Sequence, residues 1–166
     1  MRIARLLPML RAILIAGLLA APGAAAEPPM RLATQLTDNA GVLSSSQQAN
    51  VHSALDRLYE DRRIRLWVVF VEDFSGQNYL GWAQSTMSLS DFGDDDVLLS
   101  VATVDRSFAF QVPDTAPNGL ASRADDIRRN SIGPALSRDD WAGAAIAAAN
   151  ALNAEPQSPP GHGVSW

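Results

Sequence analysis

The sequence contains no cysteine and no lysine. Without cysteine there is no disulfide, no thiolate nucleophile and no Cys-based zinc site. Without lysine there is no phosphate-loop Lys and no Schiff-base chemistry; all 13 basic residues are Arg. Histidine is scarce too, with only His52 and His162. His162 falls in a Pro/Gly-rich tail, so a Ser-His-Asp triad has little to build on. The Gly-x-Ser-x-Gly elbow, the His-Glu-x-x-His helix, the phosphate loop and the dinucleotide fingerprint are all missing. Basic charge is in deficit, 13 against 18 acidic residues, for a formal net charge of -5. Phosphate contacts need clustered Lys and Arg, so nucleic acid is not an expected partner. The acidic balance suits cations or basic partners instead.

What is present suffices for one ordinary domain. The 166 residues are 47% hydrophobic and 19% charged, enough apolar side chain for a core. Residues 1–26 read as a secretory signal. Arg2, Arg5 and Arg11 make a basic start, Ala12 to Ala21 an apolar run, and Ala24-Ala25-Ala26 a small-residue cleavage site before Glu27. That run is about half the roughly twenty residues a spanning helix needs, so the mature chain is expected to carry no membrane span. Cleavage would remove three Arg and leave ten basic against 18 acidic residues, a charge of -8. Residues 27–31 form a Pro-containing spacer, 32–153 the folded domain, and 154–166 a disordered Pro/Gly-rich tail.

Within the domain, Arg31 to Leu36 reads as a short edge strand. Thr37-Asp38-Asn39-Ala40-Gly41-Val42-Leu43 carries turn residues. Ser44 to Asp61 is a helix with a capping box at Ser44/Gln47 or Ser45/Gln48, and Val51, Leu55, Leu58 and Tyr59 recur at helical spacing. His52 lies beside that stripe as a surface residue. Leu66 to Val71 is a continuous apolar run, a strand buried on both faces. A helix from Asn78 to about Ser88 follows. Ser107 to Val112 alternates and reads as a half-buried strand after a turn at Asp105-Arg106. Ser122 to Asn130 is a polar helix whose Arg128 and Arg129 face solvent. Trp141 to Leu152 is an Ala-rich helix capped by Ser137-x-x-Asp140.

The stretch with the most chemistry is Asp91-Phe-Gly-Asp94-Asp95-Asp96, which runs into Val97 to Val104, an apolar run suited to the centre of a sheet. Three adjacent carboxylates repel one another, so the loop is either solvated or neutralised by a cation. Oxygen donors of this kind suit Ca²⁺ or Mg²⁺. An EF-hand is excluded: counting from Asp94, the fifth position is Leu98 and the twelfth is Asp105. No residue stands out as catalytic, and any hydrolysis would rest on carboxylates and a metal-bound water. The element order implies α/β architecture: a three-layer sandwich, Rossmann-like, with a central mixed sheet and helices on both faces.

Two motifs carry a family resemblance. Thr37-Asp38-Asn39-Ala40-Gly41-Val42-Leu43-Ser44 and Gly93-Asp94-Asp95-Asp96-Val97-Leu98-Leu99 resemble the signatures of the TPM domain family, and the likeness runs from about Leu32 to Leu152. In the second motif Asp95 stands where the family has Asn, and Asp96 where it has Gly. The resemblance implies an α/β sandwich outside the cytoplasm, in the secreted or cell-envelope space. It also implies calcium binding near these loops in some members and acid phosphatase activity in plant members. The ligand set expected for Ca²⁺ is Asp94, Asp95 or Asp96, helped by Asp38. Three functions follow. The favoured one is an accessory protein that binds Ca²⁺ and assists a membrane or envelope protein complex. The others are a metal-dependent acid phosphatase and an ion-independent protein-binding module.

Overall fold

The computed structural model describes residues 26–155. The expected leader, but for Ala26, and the tail from residue 156 lie outside these residues. The elements run β1 (Leu36–Asp38), α1 (Ser45–Arg62), β2 (Arg65–Val71), α2 (Tyr79–Leu89), β3 (Asp96–Ala102) and β4 (Ser107–Gln111). A 3-10 turn (Pro117–Gly119), α3 (Leu120–Asp126), a π turn (Ile127–Ile132), α4 (Gly133–Leu136) and α5 (Trp141–Asn153) complete the chain. The four strands form one sheet in the order β1-β2-β3-β4. The first three are parallel and β4 returns antiparallel to β3, so the sheet is mixed, as the element order implied.

Local chemistry fixes most boundaries. Ser44 is the N-cap of α1 and Gln47 completes the capping box, the first of the two pairs the sequence offered. Gln47 N donates to Ser44 Oγ at 3.3 Å and Ser44 N to Gln47 Oε1 at 2.9 Å, so two otherwise orphaned donors are satisfied. Asn78 caps α2 by accepting from Leu80 N. Asp140, not Ser137, caps α5, with Gly143 N donating to its Oδ1. The expected polar helix does not end at Asn130. It continues through the π turn, where Gly133 N donates to Arg128 O five residues back, and Pro134 follows in the first turn of α4, where its missing N–H is tolerated.

The edge strand differs from expectation. Residues 30–32 run along α2, where Met30 N donates to Thr86 Oγ1 and Leu32 N to Ser90 Oγ. Pairing with β2 begins only at Leu36.

The pleat sorts side chains onto two faces. Leu66, Val68, Phe70, Val97, Leu99, Val101 and Phe110 face a core closed by α1 and by α3 to α5. Val69, Val71, Leu98, Ala102 and Ala109 face Phe74, Trp82 and Ala83 on the side of α2. All seven residues of β3 are buried, as a central strand covered on both faces requires. Helices α1 and α2 thus lie on opposite faces, although both connections step the same way across the sheet. The two crossovers are therefore of opposite hand, and one is the left-handed kind that parallel β-α-β units seldom use.

Candidate functional site

The expected calcium cage does not assemble. Asp38 ends β1 at the level of Phe70, and Phe70 pairs with Val101. Asp96 opens β3 opposite Arg65. The separation between those levels is five residues of strand, about 16 Å at the usual rise. Asp38 sits at the carboxyl end of the parallel strands and residues 94–96 at the amino end.

The three adjacent carboxylates also diverge from one another. Asp96 is a strand residue, only 4% exposed. Its Oδ1 accepts from Arg65 Nε at 2.9 Å and from Trp67 Nε1 at 3.0 Å. Its Oδ2 accepts from Gly93 N at 2.8 Å, while Asp96 N donates back to Gly93 O. Asp96 therefore closes the turn into β3 with extended backbone, and a residue of positive φ is not needed there. Asp94 accepts from Thr115 Oγ1 at 2.5 Å. Asp95 is exposed, and its main-chain carbonyl accepts from Arg65 N. Nearby Asp91 pairs with Arg31. Among the described residues no group of three or more His, Cys, Asp or Glu side chains converges as a metal would require. The donor set present thus fails to fit a hard cation, which needs six or more oxygens gathered at one point.

Asp38 has its own task. Its Oδ1 accepts from Val42 N at 3.1 Å and its Oδ2 from Leu43 N at 2.9 Å. Gly41 at φ 66° lets the chain double back under the carboxylate. The Asp-Asn-Ala-Gly-Val-Leu motif is therefore a folded turn that delivers the chain to Ser44 and α1.

At the carboxyl end of the sheet the loops are laced together. Asn39 N and Ala40 N both donate to Phe70 O, and Val104 N donates to Glu72 O. Asp105 Oδ2 accepts from Phe74 N. Beside this edge lies a cavity of about 310 Å³. Val101, Phe108, Leu136 and Trp141 supply its apolar wall, and Ser107 and Ser137 bring hydroxyls. Arg106 closes one side and pairs with Asp139 at 3.0 Å. No carboxylate and no imidazole lines it. His52 is exposed on α1, as its place beside the stripe implied. The sequence reading missed this cavity because its walls come from β3, β4, α4 and α5. The one hint was Trp141, a large aromatic opening an otherwise small-residue helix.

A mixed, open sheet between helix layers, with its cavity beside the carboxyl end of a central strand, defines an α/β domain of the doubly wound kind. Such a fold hosts many chemistries and by itself names none. The chain belongs to the TPM domain family, whose model matches residues 36–155. UPF0603 protein Rv2345 of Mycobacterium tuberculosis is 55% identical over 158 residues, 95% of this chain. The chain spans only 24% of that relative's length, and the counterpart from strain CDC 1551, UPF0603 protein MT2410, aligns identically. Among solved structures, the N-terminal domain of the cg2496 protein from Corynebacterium glutamicum superposes with a TM-score of 0.64 at 25% identity, covering 85% of this chain and 95% of that one. An N-terminal domain from P. gingivalis shares the fold at a TM-score of 0.59 and 18% identity, covering 72% of this chain and 79% of that one.

Proposed function

We propose that this domain is a non-catalytic accessory module, exported from the cytoplasm, that docks onto a protein partner of the membrane or envelope. The observation that carries this reading is what the carboxylates do. Asp38 and Asp96 accept hydrogen bonds from N–H groups of their own turns, and Asp105 accepts from Phe74 N of the neighbouring loop after β2. Their oxygens hold loops in place, and among the described residues no set of metal-ligating side chains converges. The apolar cavity on the carboxyl side of the sheet lacks a nucleophile–base pair, which suits a receptor for a side chain better than a reaction centre.

Two further facts support the reading. The matched relatives are about four times longer than this chain, as expected where the domain serves as one module of a larger machine. Among the described residues no helix is long and apolar enough to cross a membrane, which fits a domain that works beside a bilayer after its leader is removed.

The test has three arms. A chromogenic phosphate ester, offered with and without chelator, should be turned over no faster by the purified protein than by buffer. Calcium titrated to millimolar levels should give no saturable shift of the backbone amides of residues 91–96. Mass spectrometry of protein recovered from outside the cytoplasm should place the mature amino terminus at Glu27. Chelator-sensitive turnover that disappears in Asp96→Asn or Asp38→Asn, both kept folded, would replace the accessory role with a phosphatase.

A further inference from the structure

The outer edge of β4 is an unpaired strand without the protection such edges normally carry. Its inner side pairs with β3 from Ser107 to Gln111. Among the described residues, the main-chain groups of residues 107–112 make no hydrogen bond outside that ladder. Natural edges are blunted by Lys, by proline, by inward charges, by bulges or by extreme shortness. The other edge, β1, is only three residues long. In contrast, Ser107-Phe-Ala-Phe-Gln-Val112 holds neither charge nor proline, and Arg106 and Pro113 stand just outside it. The register of the ladder is regular throughout, without a bulge.

Each face beside this edge offers a receptor. On the face of Phe108 the apolar cavity of about 310 Å³ adjoins the start of the strand. On the opposite face, that of Gln111, a second hollow of about 280 Å³ lies between the strand's exit and α2. Met87, Gln84 and Gln111 line it, and exposed Asp114 adds a carboxylate. A neighbouring hollow shares Met87 and Pro113 and adds Asp94.

The geometry points to β4 as a docking edge for an extended segment of a partner protein. This deepens the accessory-module reading and rests on it. The segment adds a fifth strand through main-chain hydrogen bonds, and its side chains alternate between the two faces. At the level of Phe108 it presents an apolar residue to the cavity. About three positions along, on the other face, it presents a basic residue to Asp114 and Asp94. Opposite faces require an odd spacing, which this one satisfies. Charge favours such a partner over a second copy of this chain, because both copies would carry the same acidic excess.

The experiment selects short peptides from a random display library on the immobilised full-length protein. Each selected peptide is then resynthesised in three forms, unmodified and N-methylated at alternate residues in each of the two registers. Methylation keeps the side chains and removes the strand's donors. Selected peptides should carry an apolar and a basic residue at odd spacing, shift the amides of residues 107–112 and slow their hydrogen exchange. N-methylation in the pairing register should weaken binding by about tenfold or more. The variant Ser107→Lys with Gln111→Lys, at two half-buried positions, should stay folded and lose the same peptides. Peptides that bind elsewhere, or that tolerate N-methylation in both registers, overturn the docking edge while the accessory module stands. Concentration-dependent protection of β4 without peptide overturns it in favour of a second copy. Failure to select any peptide overturns the docking edge, while the accessory module is judged by turnover, calcium response and export alone.

Discussion

Removing the Asp96 carboxylate should destabilise the domain by about 3 kcal/mol. The sum comes from its partners. Trp67 Nε1 and Gly93 N each lose an ionised acceptor in a part-buried setting, about 1.5 kcal/mol apiece. Arg65 is 49% exposed at its side chain, so its charge returns to water and adds no more than about 0.5 kcal/mol. In a domain of this size the loss should lower the melting midpoint by roughly 10 °C. Asp96→Asn keeps an acceptor for Trp67 but turns an amide toward Gly93 N, and should cost about 2 kcal/mol. Asp95→Ala, one residue earlier, removes an exposed carboxylate that has no side-chain partner among the described residues and should stay within about 0.5 kcal/mol. Urea unfolding followed by tryptophan fluorescence measures all three. Equal losses at Asp95 and Asp96, or a cost below about 0.5 kcal/mol for Asp96→Ala, would refute the reasoning. So would stabilisation of the wild-type protein by millimolar calcium that Asp95→Ala abolishes, since a ligand of the native state raises its stability.

Asp38→Ala leaves Val42 N and Leu43 N without their acceptor and should cost about 2 kcal/mol by chemical unfolding, with no change in calcium response. Ser44→Ala removes one half of the capping box of α1 and should cost about 1 kcal/mol in the same assay. Gly41→Ala forces a side chain into φ 66° where nothing crowds its Cβ; the strain alone should cost about 1 kcal/mol. Leu136→Ala enlarges the cavity at the carboxyl edge. It should weaken any peptide that seats an apolar residue there, while one that uses the face of Gln111 alone is unaffected.

Most of the fold was legible because it depends on pattern. The apolar runs at Leu66 to Val71 and at Val97 onward became the two central strands. Of the stripe expected at Val51, Leu55, Leu58 and Tyr59, the first three became the buried face of α1 together with Ala54, while Tyr59 lies at its exposed margin. The site was less legible because it depends on register. Adjacency in sequence suggested that Asp94, Asp95 and Asp96 act together. The strand begins one residue earlier than the apolar run, and that single step turns Asp96 inward. The relation of Asp38 to this loop needs strand order and direction, and parallel pairing puts the start of β3 and the end of β1 at opposite ends of the sheet. The polar helix expected to end at Asn130 runs on through a π turn at Ile127–Ile132, an option that sequence periodicity does not reveal.

Topology also explains why the vulnerable edge is β4. A parallel strand at that position would require a crossover, and its helix would shield the flank of the sheet. The chain instead returns by the tight turn at residues 103–106, which brings β4 alongside β3 with no connecting helix. All later helical segments then pack on the face that α1 already covers, leaving α2 as the only helix over the other face among the described residues. The connection out of β1 leads to one face and that out of β2 to the other, and neither passes along the outer flank of β4, which lies at the far end of the strand order. An open flank between two shallow hollows is thus the direct result of a hairpin in an otherwise parallel sheet. Lengthening β4 alone would not protect it, whereas one lysine on its outer edge would, which is why the absence of charge from Ser107 to Val112 bears on function.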